Sequence, residues 1–154
     1  MHDVAAHLTA WLAEQYPTLA VNHDAVLFGA ATHDIGKIVH VEELSGPGSR
    51  HEPAGRQLLL DAGIDSSLAR FAATHASWQT TAVEIEDLIV SLADKIWKAK
   101  RVPDLEQLVV DRLVAASGQE PWQAFLNLDD ILDTIAADAD HRLAFQNVYP
   151  TTTS

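Results

Sequence analysis

The stretch Ala25-Val26-Leu27-Phe28-Gly29-Ala30-Ala31-Thr32-His33-Asp34-Ile35-Gly36-Lys37 decides how this chain is read. Its first eight residues are almost wholly apolar, and a helix that apolar is buried on most sides. It runs straight into an imidazole and a carboxylate. Burying either group unpaired costs free energy, so His33 and Asp34 need partners or a metal ion. Adjacent helical side chains point about 100° apart, so the two can converge on an ion lying between those directions. Asn22 is a fitting cap for this helix, which is read as Asp24 to Ile35, with Gly36 just past its end.

Outward from this stretch the pattern stays helical. Val4, Leu8, Trp11 and Leu12 recur at helical spacing until Pro17 stops them. Beyond Lys37, Ser45-Gly46-Pro47-Gly48 is a loop signal. A third helix starts near Glu52-Pro53 and stops at Gly63. Asp65 or Ser66 caps a fourth, ending near His75. Thr81-Ala82-Val83-Glu84 reads as the capping box of a long fifth helix, to about Lys100. Pro103 opens a sixth, closed by Ser117-Gly118, and Pro121 to Gln146 holds one or two more. Within that last segment Phe125, Leu126, Ile131, Leu132 and Ile135 are expected to close the core, or to form a homodimer face. No alternating strand, internal repeat or linker is present in the pattern. The expectation is an all-α, single-domain bundle of about six to eight helices over residues 1–149, with a frayed tail at 150–154.

Composition narrows the function. The chain has 154 residues, 47% of them hydrophobic and 6% aromatic, enough for one sizeable core. Ten Lys+Arg against 22 Asp+Glu give a net charge of −12, which argues against binding a nucleic-acid polymer through its phosphates. There is no cysteine, so disulfides, thiolate zinc sites, iron–sulfur clusters and cysteine nucleophiles are excluded. No apolar run reaches the length of a membrane span. Met1-His2-Asp3-Val4 carries no basic region followed by an apolar block, so a cytoplasmic location is expected. Eight histidines in so acidic a chain is the oddity.

Three more residues share the setting of His33 and Asp34. Asp94 lies in the run Leu88-Ile89-Val90-Ser91-Leu92-Ala93 and is followed by Ile96-Trp97; the plainer account has it facing water beside Lys98. His75 ends Leu68-Ala69-Arg70-Phe71-Ala72-Ala73-Thr74, and His51 precedes the third helix. Either histidine alone suits a cap or a core position. By contrast His23-Asp24 sits at a helix start, where the dipole favours Asp, and reads as structural. Imidazoles and carboxylates without thiolates suit zinc, iron, manganese, cobalt or nickel. Five such groups exceed one tetrahedral site and suit two ions, about 3.5–4 Å apart, with a bridging carboxylate.

In the order Ala31-Thr32-His33-Asp34-Ile35-Gly36-Lys37, His51-Glu52-Pro53-Ala54-Gly55 with Leu58-Leu59, Ala73-Thr74-His75, and Ser91-Leu92-Ala93-Asp94-Lys95, the sequence resembles the HD-domain superfamily of metal-dependent phosphohydrolases. The resemblance runs from the first helix to about Arg101. It implies that His33, Asp34 and Asp94 are core metal ligands, with Asp34 bridging, and that His51 and His75 hold a second ion. It implies that Lys37, with Asp34, serves catalysis, the lysine lying near substrate phosphate; the plainer account of Lys37 is a cation at a helix C-terminus. The family's first histidine falls one position before Met1 on the register of Val4-Ala5. His2 is the nearest imidazole and is taken as that ligand; His7 lies further off.

The implied reaction is hydrolysis of a small phosphate ester, most often a nucleotide, by a metal-activated hydroxide attacking phosphorus. Lys95, Lys98, Lys100 and Arg101, with Arg50, are candidates for distal phosphates, although a solvated helix end explains the cluster better. Trp78 is a candidate base-stacking residue, more simply core. Two other functions use the same ligand set: a di-iron oxygenase that cleaves a C–C or C–P bond, and a non-catalytic binding or regulatory module.

Overall fold

The computed structural model describes residues 1–79 and 82–148. Among them are α1 (His2–Gln15), α2 (His23–Thr32), α3 (His51–Asp61), α4 (Ser66–Ala69), α5 (Phe71–Thr74), α6 (Ile85–Ile96), α7 (Pro103–Ser117), α8 (Pro121–Ala137) and α9 (Ala139–Val148). Two 3-10 turns, Ile35–Ile38 and Val41–Leu44, occupy the segment expected as loop. The described residues contain no strand, so the chain is all-α. Seven of these helices have ten residues or more; α4 and α5 are single turns. The tail at 150–154 and Thr81 of the expected capping box lie outside the described residues.

The main core cluster is built from the apolar faces of α1, α2 and α6 to α8, with Leu8, Leu12, Leu88, Ile89, Leu92, Leu105, Leu113 and Leu132 fully buried, and a small second cluster joins Leu59, Ala69 and Ala72. α2 lies between α1 and α6, as its nearly all-apolar composition requires. Gly29 lets α2 seat closely, because a Cβ there would press into the Phe71 ring and Val90. This packing brings the end of α2 beside the end of α6.

Several ends differ from the sequence expectation. α2 stops at Thr32, not Ile35, and passes into the first 3-10 turn. The fourth helix is broken at Arg70, whose guanidinium turns to Asp87 and Glu84. α6 is capped by Glu84, in a reciprocal box with Asp87, rather than by Thr81. It ends at Ile96 instead of Lys100 because Ala99 takes a left-handed conformation (φ 58°) and the Lys100 amide returns to the Lys95 carbonyl. No glycine marks that stop. Phe125 and Leu126 do not join the core: they are 47% and 48% exposed, while Ile131, Leu132 and Ile135 one face away are buried.

Two arginines fasten the C-terminal helices. Arg101 binds Glu106, Asp129 and Asp133, tying the α6–α7 turn to α8. Arg142 on α9 donates to the carbonyls of Ile96 and Trp97 at the end of α6, and of Ile135 near the end of α8. Helix ends leave such carbonyls short of their regular partners, and here Ile96 and Ile135 otherwise accept only from the turns that follow, at the Ala99 and Asp138 amides. α9 is thereby set against the end of α6, next to the residues described below.

Candidate metal centre

His33 caps α2 and is buried. Its Nδ1 donates to the Ala30 carbonyl at 2.9 Å, since a carbonyl only accepts. Its Nε2 then lies 3.4 Å from Asp34 Oδ2 and 3.4 Å from Asp94 Oδ1. Asp94, two residues before the end of α6, faces the end of α2 and pairs with Lys95, not Lys98. The water-facing account of Asp94 is therefore corrected.

The other oxygen of Asp34 meets the remaining histidines. His51 Nε2 is 3.3 Å from Asp34 Oδ1, and His75 Nε2 is 3.7 Å from the same atom. Asp34, His51 and His75 can each offer a ligand atom within 4.8 Å of the others, a cluster fit for a metal ion.

His51 arrives there through a backbone contact. The first 3-10 turn packs on α3 with Gly36 against Gly55. A Cβ on Gly36 would collide with the His51 carbonyl and the Gly55 amide. Gly36 was expected as a helix terminator; its φ is not left-handed, and close approach is its reason. His75 follows α5, and Thr74 donates to Asp87 Oδ1 at 2.8 Å, which pins α5 to α6. The His75 Nδ1 lies 3.3 Å from the Phe71 carbonyl.

Glu43 was missed by the sequence reading. It sits in the second 3-10 turn, only 5% exposed, and accepts from the amides of Arg50 and His51 and from His51 Nδ1 at 2.6 Å. Its carboxyl lies below the ordinary glutamate value: burial pushes it up, but those hydrogen bonds outweigh burial. A carboxylate on Nδ1 fixes the tautomer, so Nε2 of His51 carries a lone pair. That buried Nε2 has no hydrogen-bond partner.

His33 and His75 share the orientation of His51, with a backbone carbonyl in place of Glu43. Each has Nδ1 on an acceptor, and each aims Nε2 at Asp34. Lone pairs facing carboxylate oxygens repel unless a cation stands among them. Without a metal, the protein supplies a proton. Burial disfavours a charged His33, yet Asp34 and Asp94 overcome this and raise its pKa to about 9. Burial likewise disfavours charge on Asp34 and Asp94, but His33 and the neighbouring lysines hold both well below the usual carboxylate range. His75 goes the other way, to about 4, through burial and then the charge on His33.

His2 is not brought to this cluster. Its side chain is 55% exposed and 3.7 Å from Asp3. The buried face of α1 carries Val4, Ala5, Leu8 and Leu12, and Met1, not His2, lies toward the cleft. The expectation of His2 as a ligand is corrected on that ground of helical phase. His7 is exposed, beside Ile135 and Asp138, away from the cluster.

A cleft of about 530 Å³ opens on the cluster, reaching His33, Asp34 and Asp94. Lys37 lines it and pairs with Asp34 Oδ2 at 2.8 Å. Lys98 lines it too, whereas Arg50 is held by Glu42 and Arg101 by its acidic partners. The aromatic wall is Trp97; Trp78 packs against the core. Trp97 stands one turn beyond Asp94, a spacing visible in the sequence.

The family model of the HD domain matches residues 5–97, more than half of the chain. No curated protein and no solved structure matches. No helix among the described residues is long and apolar enough to cross a membrane.

Proposed function

The chain belongs to the HD-domain family, and on that premise we propose that it is a metal-dependent hydrolase of small phosphate esters. The observation that carries the reading is the convergence of three tautomer-fixed imidazoles on the two oxygens of Asp34. His33, Asp34 and Asp94 would hold one divalent transition-metal ion. His51 and His75, with the other oxygen of Asp34, would hold a second. Such ions supply Lewis acidity toward phosphoryl oxygens and lower the pKa of bound water.

The chain's own residues do the rest. Asp34 keeps the two groups of ligands in one register, because both of its oxygens are engaged. Lys37 sits at the cleft wall beside Asp34, which supports the reading that its ammonium takes a nonbridging phosphate oxygen. Lys98 offers a second cation in the same lining. With a net charge of −12 the molecule repels anions at long range, so attraction has to be local. A nucleotide is one ester of the required size.

The test is elemental analysis of protein purified without chelator, with Asp34→Ala in parallel. About two ions per chain, lost in the variant, followed by hydrolysis in a phosphate-ester panel, supports the reading. No metal retained, and none taken up on titration, sinks it. Bound iron with oxygen uptake and no ester hydrolysis moves the chain to the oxygenase reading.

A further inference from the structure

The large apolar side chains left in water are gathered in a few places. Ile38, Val39, Val41 and Leu44 are each more than half exposed, and all lie in the short segment between Lys37 and Arg50. Leu143 on α9, 37% exposed, adds another. Ile38, Leu44 and Leu143 line the same cleft as the metal-ligand cluster, together with the half-buried Trp97. An exposed apolar patch contributes nothing to folding, and one that adjoins polar groups at the bottom of a cleft marks a ligand's place.

The polar side of that cleft is narrow. Its lysines are Lys37 and Lys98, and Lys37 already meets Asp34. Both cleft walls repeat one arrangement. Asp34, Lys37 and Ile38 follow the end of α2, and Asp94, Trp97 and Lys98 follow one another at the end of α6. Each set steps outward from a carboxylate to one cation and one apolar side chain. A single phosphate is thus served at the bottom, and the rim offers apolar surface.

We infer that the cleft takes a phosphate monoester whose organic part is compact, uncharged and apolar, such as an aryl group, and not a polyphosphate. The inference rests on the phosphohydrolase reading for the ester bond alone. The phosphate lies toward His33, Asp34 and Lys37. The organic group lies against Trp97, Leu44 and Leu143. A di- or triphosphate would bring further negative charge to a rim whose one side-chain cation among the described residues is Lys98, set with the apolar Leu44, Leu143 and Trp97.

Binding separates this inference from the one it rests on. Metal-loaded protein is titrated calorimetrically with phenylphosphonate, methylphosphonate and methylenediphosphonate, none of which has an ester to cleave. Phenylphosphonate is expected to bind about tenfold more tightly than methylphosphonate. Trp97→Ala and Leu44→Ser should each reduce that ratio to about threefold or less. Leu44 is exposed, so its variant folds even if loss of the indole disturbs the core. Equal affinities, tightest binding of methylenediphosphonate, or a ratio unmoved by Leu44→Ser overturns the inference. The same protein is assayed on phenyl phosphate, glycerol phosphate and a nucleoside monophosphate. Highest kcat/KM on phenyl phosphate supports the inference, and preference for the nucleotide overturns it. Selective phenylphosphonate binding with no ester hydrolysed upholds the apolar wall and removes the phosphohydrolase reading instead.

Discussion

α2 carries the dipeptide His-Asp at both ends, and the two copies have opposite physics. His23-Asp24 opens the helix, where the exposed amides and the dipole welcome a carboxylate. Asp24 is exposed and needs nothing further. His33-Asp34 closes the helix, where the dipole opposes a carboxylate and the imidazole is buried. There the fold surrounds the pair with Asp94, His51, His75 and Lys37. The same two residues stabilise one end unaided and are held at the other only by an arrangement that favours a cation. The dipeptide by itself therefore says little; its position on a buried helix says much.

The largest contrast is expected from removing the two aspartates. Asp34→Ala should lower bound metal at least about tenfold, whereas Asp24→Ala should leave it in place and cost about 0.3–1 kcal/mol of stability. Elemental analysis beside urea denaturation reads both. Equal metal loss in the two variants would erase the distinction between the ends.

Next comes the backbone that presents His51 to the closing pair. Gly36→Ala should destabilise the fold by about 2–3 kcal/mol and lose metal with it, since neither backbone neighbour can turn aside. A third test concerns the tautomer of His51. Glu43→Gln and Glu43→Ala should weaken metal affinity about 10–100-fold while circular dichroism stays helical. Unchanged affinity would make Glu43 a loop anchor only.

A smaller effect is expected on the metal-free protein as pH is varied. His33, raised to about 9, contributes fully below its unfolded value, about 6.5, and loses that contribution as pH rises toward 9. His75, lowered to about 4, contributes fully above about 6.5 and loses that contribution as pH falls toward 4. Stability of chelator-treated protein should peak near pH 6.5 and fall by about 1–3 kcal/mol on either side. His33→Gln should remove the alkaline limb; His23→Gln should leave it. The smallest effect is that of His2→Ala, which should change neither metal content nor midpoint beyond about 0.5 kcal/mol.

What could be read from the chain follows the range of the forces involved. An apolar run ending in His33-Asp34 is local, so the buried helix and its polar end were legible. So were the helices opened by Pro103 and Pro121 and the stop at Gly118, because each is set by neighbours in sequence. Glu43 was not, because beside Glu42 in a loop it looks solvated, and only the fold delivers it to His51. Gly36 looked like a terminator because its partner, Gly55, acts from another helix. The early end of α6 escaped because Ala99, a non-glycine, turns left-handed there under an end that Arg142 also binds. Phe125 and Leu126 fit the helical period of α8, but the buried arc of that helix is narrower than its apolar arc.

Arg142 has a consequence for how such a molecule can change. It grips carbonyl oxygens, which every residue possesses, so its hold on α6 and α8 does not depend on which side chains they display. Leu143, its neighbour, faces the cleft without taking part in that grip. The wall can therefore be rewritten one side chain at a time while the helix bearing it stays docked. His33, Asp34, His51 and His75 lie at the ends of α2, α3 and α5, outside the contacts that Arg142 makes.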